Sequence, residues 1–303
     1  MDLSVVIPTL NGRSELPATL SAIAERAPDT EVIVANGPSA DGTSGFVCEN
    51  TTVDTVLELS DRNLNVARNA GLAAASGDAV AFLGQGTRIE STWLEAVGTA
   101  LRAGADVVTG PVHRELGGDV TTESLEESRI GARTIRFFDG GNVVFTRDAI
   151  EGLDGFDEHL DVGAARDLAH RLGAQEMTLR WEPEASVLRT TPESTPQAES
   201  VARQSVLAYR SLGYRMAKNY GLGRDTILGL SKLLLRDGFR EMKAVATDDA
   251  KPSQLIGKGR RATRAVLRGV KEGLAARVTD QTGRRNPKGL SARTNRPVAR
   301  CDP

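Results

Sequence analysis

The chain has 303 residues, with 40% apolar and 26% charged side chains, which suits a globular protein of about two domains and excludes global disorder. Cys48 and Cys301 are too few and too far apart for a metal knuckle or a disulfide framework, a count that suits a reducing compartment. The net charge of −2 hides an asymmetry: the segment from Lys251 onward carries 14 Lys and Arg against 3 acids, leaving an acidic body with a basic arm.

Residues 3–7 (Leu-Ser-Val-Val-Ile) form an apolar run ended by Pro8, which predicts a buried strand. Helical spacing follows over 14–26, then a strand over 31–34, a turn-rich loop over 36–43 and a third strand near 53–59. An Ala-rich helix is expected over 63–75, then a strand over 79–83. Strands that alternate with helices predict an α/β fold with a largely parallel sheet. Ligands of such sheets bind beyond the carboxyl ends of the strands, so Pro8–Arg13, Asn36–Thr43 and Gly84–Arg88 are the segments to inspect. Between 140 and 189 the pattern is mixed, with a strand at Val143–Phe145 and helical turns over 166–172. Past Ser200 only helical periodicity remains, over 202–220, 225–245 and 253–278. The stretch 279–303 is basic, punctuated by Pro and Gly, and reads as an irregular tail.

The 225–245 segment sets Leu228, Leu230, Leu233, Leu234 and Leu235 beside Lys232, Arg236, Arg240 and Lys243. A basic amphipathic helix of this kind lies on an anionic membrane surface or packs its leucines on the domain. The tail from 251 has no aromatic residue to stack a base, so a nucleic-acid partner is disfavoured. The first strand–helix turn lacks GxGxxG, no GxxxxGK[ST] occurs, and the three histidines join no nucleophile motif.

Three blocks, Ser4–Asn11, Val32–Thr43 and Val66–Leu72 followed by Ser76-Gly77-Asp78, together resemble family 2 glycosyltransferases. Gly141–Arg147 and Leu153–Glu158 resemble the acceptor-side half of the same family. The resemblance implies the GT-A nucleotide-sugar-binding fold over residues 1–195, a helical membrane-associating region over 196–278 and a basic tail over 279–303. It further implies inverting transfer of a hexose or hexuronic acid from a nucleotide sugar to a lipid-linked, dolichol-phosphate-type acceptor. The segment Arg284–Arg293 resembles haloarchaeal members associated with surface-glycoprotein N-glycosylation. That places the protein on the cytoplasmic face of the cell membrane, beside other proteins of the pathway.

By the same resemblance, Pro8, Thr9, Asn11, Asn36, Asp41, Arg68, Asn69, Gly84, Gln85 and Gly86 are the candidate nucleotide-sugar residues. Three positions depart from the family. The metal-binding DxD-type motif reads Gly84-Gln85-Gly86, the acceptor-side Glu-Asp pair reads Ala164-Ala165, and a downstream His reads Arg189. Mg²⁺ or Mn²⁺, usual in the family, therefore lacks its ligands. Two readings follow. In the first, Arg88, Arg166 or Arg189 neutralises the leaving diphosphate and Asp167 is the nearest base, which makes Asp167 and Arg189 the catalytic candidates. In the second, the domain has lost catalysis and acts as a membrane scaffold or partner subunit.

Overall fold

The computed structural model describes residues 2–116, 119–131, 133–190, 198–224, 228, 252–293, 297 and 299–301. An eight-stranded sheet runs in the order β12-β6-β11-β4-β1-β2-β3-β14. Its centre is β1 (Leu3–Thr9), paired in parallel with β2 (Glu31–Asn36) on one side and β4 (Ala79–Leu83) on the other. Then β3 (Thr55–Glu58) extends one edge, and β11 (Asn142–Thr146), β6 (Val107–Thr109) and β12 (Leu179–Trp181) extend the other. Only β11 and β14 (Ala299–Cys301) run antiparallel to their neighbours in this sheet.

The continuous apolar runs of β1 and β4 follow from burial on both faces. Val5, Ile7, Val32, Val34, Ala81 and Leu83 point to one core layer. Alternate residues Val6, Ile33, Val80 and Phe82 point to the other. The first layer is closed by α1 (Leu16–Arg26) and α4 (Trp93–Arg102), with Leu16, Leu20, Ile23 and Trp93 buried. The second is closed by α3 (Leu64–Ala74), capped by Asn63, whose side chain accepts from the Asn65 amide at 2.8 Å. On that face also lie α5 (Arg147–Gly152) and α6 (Ala164–Ala174). The remaining short helix, α2 (Thr43–Cys48), follows β2, and Cys48 is disulfide-bonded, contrary to the expectation from sequence separation.

A four-stranded sheet, β5 (Thr87–Ile89), β13 (Val187–Arg189), β7 (Val112–Leu116) and β8 (Asp119–Glu123), stands at the carboxyl end of β4, beside the hairpin of β9 (Glu126–Ile130) and β10 (Arg133–Phe137). None of these strands was expected from the sequence. β9 reads Glu-Glu-Ser-Arg-Ile and is mostly exposed, so no apolar alternation announces it.

The helical region is α7 (Ala198–Tyr220) and α8 (Pro252–Thr279), packed as a close parallel pair in which Arg210, Tyr214 and Lys218 meet Gly269, Gly273 and Arg277 in turn. A Cβ on Gly269 would lie 1.9 Å from the Arg210 carbonyl oxygen, so only glycine permits this approach. The helix expected over 225–245 lies, but for Leu228, outside the described residues. The tail is neither free nor irregular throughout. Asn286 is buried and donates to the carbonyls of Asp154 and Gly155, and Ser291 donates to the Asp154 carboxylate at 2.7 Å. Beyond it, β14 joins β3 with Cys301 opposite Val56. The basic arm read from the charge count is thus partly folded back onto the body.

Candidate active site

The carboxyl ends of β1, β2 and β3 carry a hydrogen-bonded rim. Asn11, at φ 52°, accepts from the Ala40 amide at 2.9 Å, and its own amide donates to Ser39 Oγ. Asp41 accepts from the Arg13 amide and from the Thr43 amide and hydroxyl. These hydrogen bonds outweigh burial and hold its carboxyl below the usual range. Asn36 donates to Ser44 Oγ and to both carboxylate oxygens of Glu58 at 3.2 and 3.1 Å. Glu58, which the sequence gave no reason to single out, therefore puts at this rim the charge that Asn36 lacks. Pro8 and Thr9 are buried beneath it; the Thr9 hydroxyl donates to the Ile7 carbonyl and its own carbonyl accepts from Gly37. They support the rim rather than face a ligand.

Gln85 joins this rim to a deeper cleft. Its Oε1 accepts from the Leu10 amide at 3.0 Å, its Nε2 donates to Glu15 at 2.6 Å, and its carbonyl accepts from Thr19. The carbonyl of Gly86 accepts from the Thr190 amide, and the Gly84 amide donates to the Gly141 carbonyl. Gln85 is thus spent on fixing the turn between β1 and α1, and offers a ligand no free end.

The cleft has a volume of about 850 Å³ and opens between α3, the four-stranded sheet and the start of α6. On its floor Arg189 donates both terminal nitrogens to Asp139, at 2.8 and 2.7 Å, a bidentate pair set in place by β13 and by the turn before β11. The Gly141 amide also donates to Asp139 at 2.7 Å. Burial alone would raise the Asp139 carboxyl; the Arg189 hydrogen bonds and charge, with the Gly141 amide, hold it below its ordinary value. Arg68 lies on the same wall, 5.1 Å over the Phe156 ring, bonded to Asn65 Oδ1 at 2.7 Å and with its Nε buried and without a partner. Burial lowers its guanidinium to about 10, against the attraction of Asp139 and with the repulsion of Arg189. Arg114, 3.8 Å from Asp139, and Arg166, paired with Glu126, complete a cleft rich in cations.

Arg68, Gly84 and Arg189 therefore meet in one cleft, with Asn11 and Asp41 on the adjoining rim and Asn36 fully buried behind it, where it fixes Glu58 and Ser39. Arg88, on β5, is not part of the cleft wall. Two candidates are corrected. Asn69 is fully buried, donating to the Phe156 carbonyl at 2.8 Å and to Glu158, and accepting from the Phe156 amide. It pins α3 to the 153–158 loop. Asp167 is also fully buried and bonds Lys218 at 2.8 Å, Arg171 at 2.9 Å and Asn219 at 3.0 Å. Burial would raise its carboxyl, but the Lys218 and Arg171 charges drive it far down, so it is a structural anion and no base. Asp139 is the site residue missed outright. Its one signal was its position, a carboxylate between the buried Phe137-Phe138 pair and the strand opening at Asn142.

No group of three or more His, Cys, Asp or Glu side chains that could hold a metal exists among the described residues. The cleft carboxylate nearest Gly84 is already bound by a guanidinium. The donor set does not fit a divalent cation.

The largely parallel sheet, with its ligand crevice at the carboxyl ends and a pair of packed helices after it, is the nucleotide-sugar-binding GT-A fold. Superposition supports this with S. aureus TarS in complex with UDP-GlcNAc (TM-score 0.62, 14% identity, 92% of this chain and 91% of the other). It does so again with the mannosyltransferase PcManGT from Pyrobaculum calidifontis in complex with GDP-Man and Mn²⁺ (TM-score 0.56, 17% identity, 92% and 88%). Residues 4–153 match the model of Glycosyl transferase family 2, so the chain carries a domain of that family. Relatives include the glycosyltransferase AglE of Haloferax volcanii, 28% identical over 181 residues (53% of this chain, 58% of the relative). Another is the pre-mycofactocin glycosyltransferase of Mycobacterium tuberculosis, 28% identical over 201 residues (61% and 42%). The chain spans about half the length of these curated relatives.

Proposed function

We propose that the protein transfers a sugar, a hexose or hexuronic acid, from a nucleotide sugar to the hydroxyl of a lipid-linked saccharide, without a divalent cation. The observation that carries this reading is the pair of cleft guanidiniums, Arg68 and Arg189, at the carboxyl end of β4. A leaving diphosphate needs its developing charge neutralised, and a fixed guanidinium in a partly desolvated cleft supplies that charge and two aligned donors. The rim of Asn11, Asp41 and Glu58, with Asn36 buried behind it, is the place for the nucleoside. The names of the relatives, which are glycosyltransferases of bacteria and a haloarchaeon, support the chemistry. Surface-glycoprotein N-glycosylation on a dolichol-type carrier is the pathway that the resemblance of the Arg284–Arg293 segment favours.

The direct test is transfer from a panel of labelled nucleotide sugars to a lipid-linked saccharide extract, with and without EDTA. Transfer undiminished by EDTA is the expected result; transfer abolished by EDTA would overturn the arginine-for-metal reading. Binding of the nucleotide without any transfer would instead support the scaffold alternative, which the engagement of Gln85 in purely structural bonds also fits.

The same reading seats the protein on the cytoplasmic membrane face. No helix among the described residues is long and apolar enough to cross a membrane. The solvent face of α8 instead presents Arg260, Arg264, Arg268 and Lys271 around the exposed Leu267 and Val278. Each basic residue near an anionic surface is worth about 1 kcal/mol at ordinary salt. Replacing Arg260, Arg264 and Lys271 by Ala should therefore weaken binding to phosphatidylglycerol vesicles roughly 100-fold by sedimentation. Because the tail completes the sheet, surface substitution is a cleaner test here than truncation.

A further inference from the structure

We propose that Asp139 is the general base of the transfer, held in reserve by Arg189 until the donor diphosphate claims that guanidinium. The inference rests on the glycosyl-transfer reading above and names the group that reading lacks once Asp167 is removed from the site.

Among the described residues, four carboxylates border the cleft: Glu123, Glu126, Asp139 and Asp161. Glu123 and Glu126 are 42% and 56% exposed and are engaged by Arg114 and Arg166 on the outer wall. Asp161 is exposed on the loop before α6. Asp139 alone is on the floor, 20% exposed, with its carboxyl oriented by the Gly141 amide. Its surroundings place it between the two halves of the reaction. On one side a Cβ at Gly141 would lie 2.8 Å from Arg189 Nη2 and 3.1 Å from the Gly84 nitrogen. On the other, a Cβ at Gly140 would lie 3.1 Å from the Cβ of Ala165, at the first turn of α6, and 3.6 Å from Arg68 Nη2. A side chain at 141 would crowd the Arg189 guanidinium, and one at 140 would press on the Ala165 methyl and touch Arg68. The open space these two glycines leave is bordered by Asp139, Arg68 and Arg189 together.

With the donor absent, Arg189 occupies both Asp139 oxygens, and a carboxylate so paired is a poor base. A nucleoside diphosphate offers Arg189 a more highly charged partner in the same bidentate geometry. Once Arg189 turns to the phosphates, Asp139 loses two hydrogen bonds and the nearer of its positive neighbours, keeping Arg114 at 3.8 Å, while remaining poorly solvated. Its proton affinity rises at the moment when a base is wanted. The acceptor hydroxyl oxygen then attacks the anomeric carbon of the sugar. The bond from that carbon to the diphosphate oxygen breaks, its electron pair leaves with the nucleoside diphosphate on Arg189 and Arg68, and the hydroxyl proton passes to Asp139. Donor binding thus arms the base, and an empty site keeps it masked.

The test compares wild type, Asp139→Asn and Asp139→Ala as the full chain, with folding checked by circular dichroism. Calorimetry measures binding of UDP and GDP, and kcat is followed by release of nucleoside diphosphate with a lipid-linked saccharide acceptor. Asp139→Asn should bind nucleotide as tightly as wild type or more tightly, because Arg189 is released in advance. Its kcat should fall by about 10²–10⁴-fold, and the loss of rate toward acidic pH that protonation of the base causes should vanish. Formate should restore part of the turnover of Asp139→Ala. Turnover of Asp139→Asn within threefold of wild type would overturn the proposal, as expected of an acceptor that attacks through an already ionised phosphate. Nucleotide binding lost in proportion to turnover would also overturn it, by making Asp139 a prop for Arg189. Absence of both binding and transfer in wild type would instead sink the transfer reading, and this base with it.

Discussion

Arg189→Ala should lower kcat by about 10²–10³-fold, the range for loss of one preorganised donor to developing negative charge. Its fold should be unharmed. Asp139 would keep the Gly141 amide at 2.7 Å and Arg114 at 3.8 Å, and the side chain removed is only partly buried. Arg189→Lys should recover little of the loss. An ammonium carries the same charge but cannot present the planar fork that two oxygens of one partner require. Steady-state kinetics over a range of donor concentrations is the decisive measurement. A fall in kcat with KM little changed marks a role in the transition state, whereas a rise in KM alone would mark Arg189 as a ground-state anchor. Unchanged kinetics would remove Arg189 from the mechanism altogether.

Lys218→Met should be the most destabilising single change in the helical region, at about 3–5 kcal/mol, with a Tm lower by about 10 °C. Lys218 is fully buried and bonds Asp157 at 2.6 Å and Asp167 at 2.8 Å. Without it both carboxylates remain in a dry interior, Asp157 with only the Tyr214 hydroxyl at 2.8 Å and the His159 amide at 3.0 Å, neither of them charged, and Asp167 with Arg171 and Asn219. The neighbouring His170, pushed down to about 3 chiefly by burial, is neutral and supplies no replacement charge. The double variant with Asp157→Asn should recover part of the loss, because one of the stranded charges is then gone. Scanning calorimetry of the two variants beside wild type checks both statements; a single variant that melts within 2 °C of wild type would show the cluster to be dispensable.

What the sequence disclosed and what it withheld divide along physical lines. Strands β1 and β4 were readable because strands buried on both faces are near-continuous apolar runs, Val5-Val6-Ile7 in β1 and all five residues of β4. The four-stranded sheet and the β9–β10 hairpin were invisible because their strands are short, polar and half solvated. In the site, a helix surface defeats one-dimensional reading. Arg68 and Asn69 are adjacent in sequence, but about 100° apart around α3, so one lines the cleft and the other is buried against the 153–158 loop. Arg166 and Asp167 divide in the same manner on α6, one on the cleft wall and one in the ion cluster. Asp139 offered no more than its place between Phe137-Phe138 and the next strand, because its role depends on an arginine 50 residues further along the chain.

The pairing of β14 with β3 bears on how this protein is made. Val56 meets Cys301 across the edge of the sheet, so one of the longest-range pairings in the fold joins a strand formed early in synthesis to one formed late. Until residues 299–301 emerge, Thr55–Glu58 presents an uncovered row of backbone donors and acceptors, the template on which nascent chains pair with one another. Fusions or deletions at the carboxyl terminus should therefore show themselves first as lower yield and more aggregate, before any change in the chemistry of the cleft.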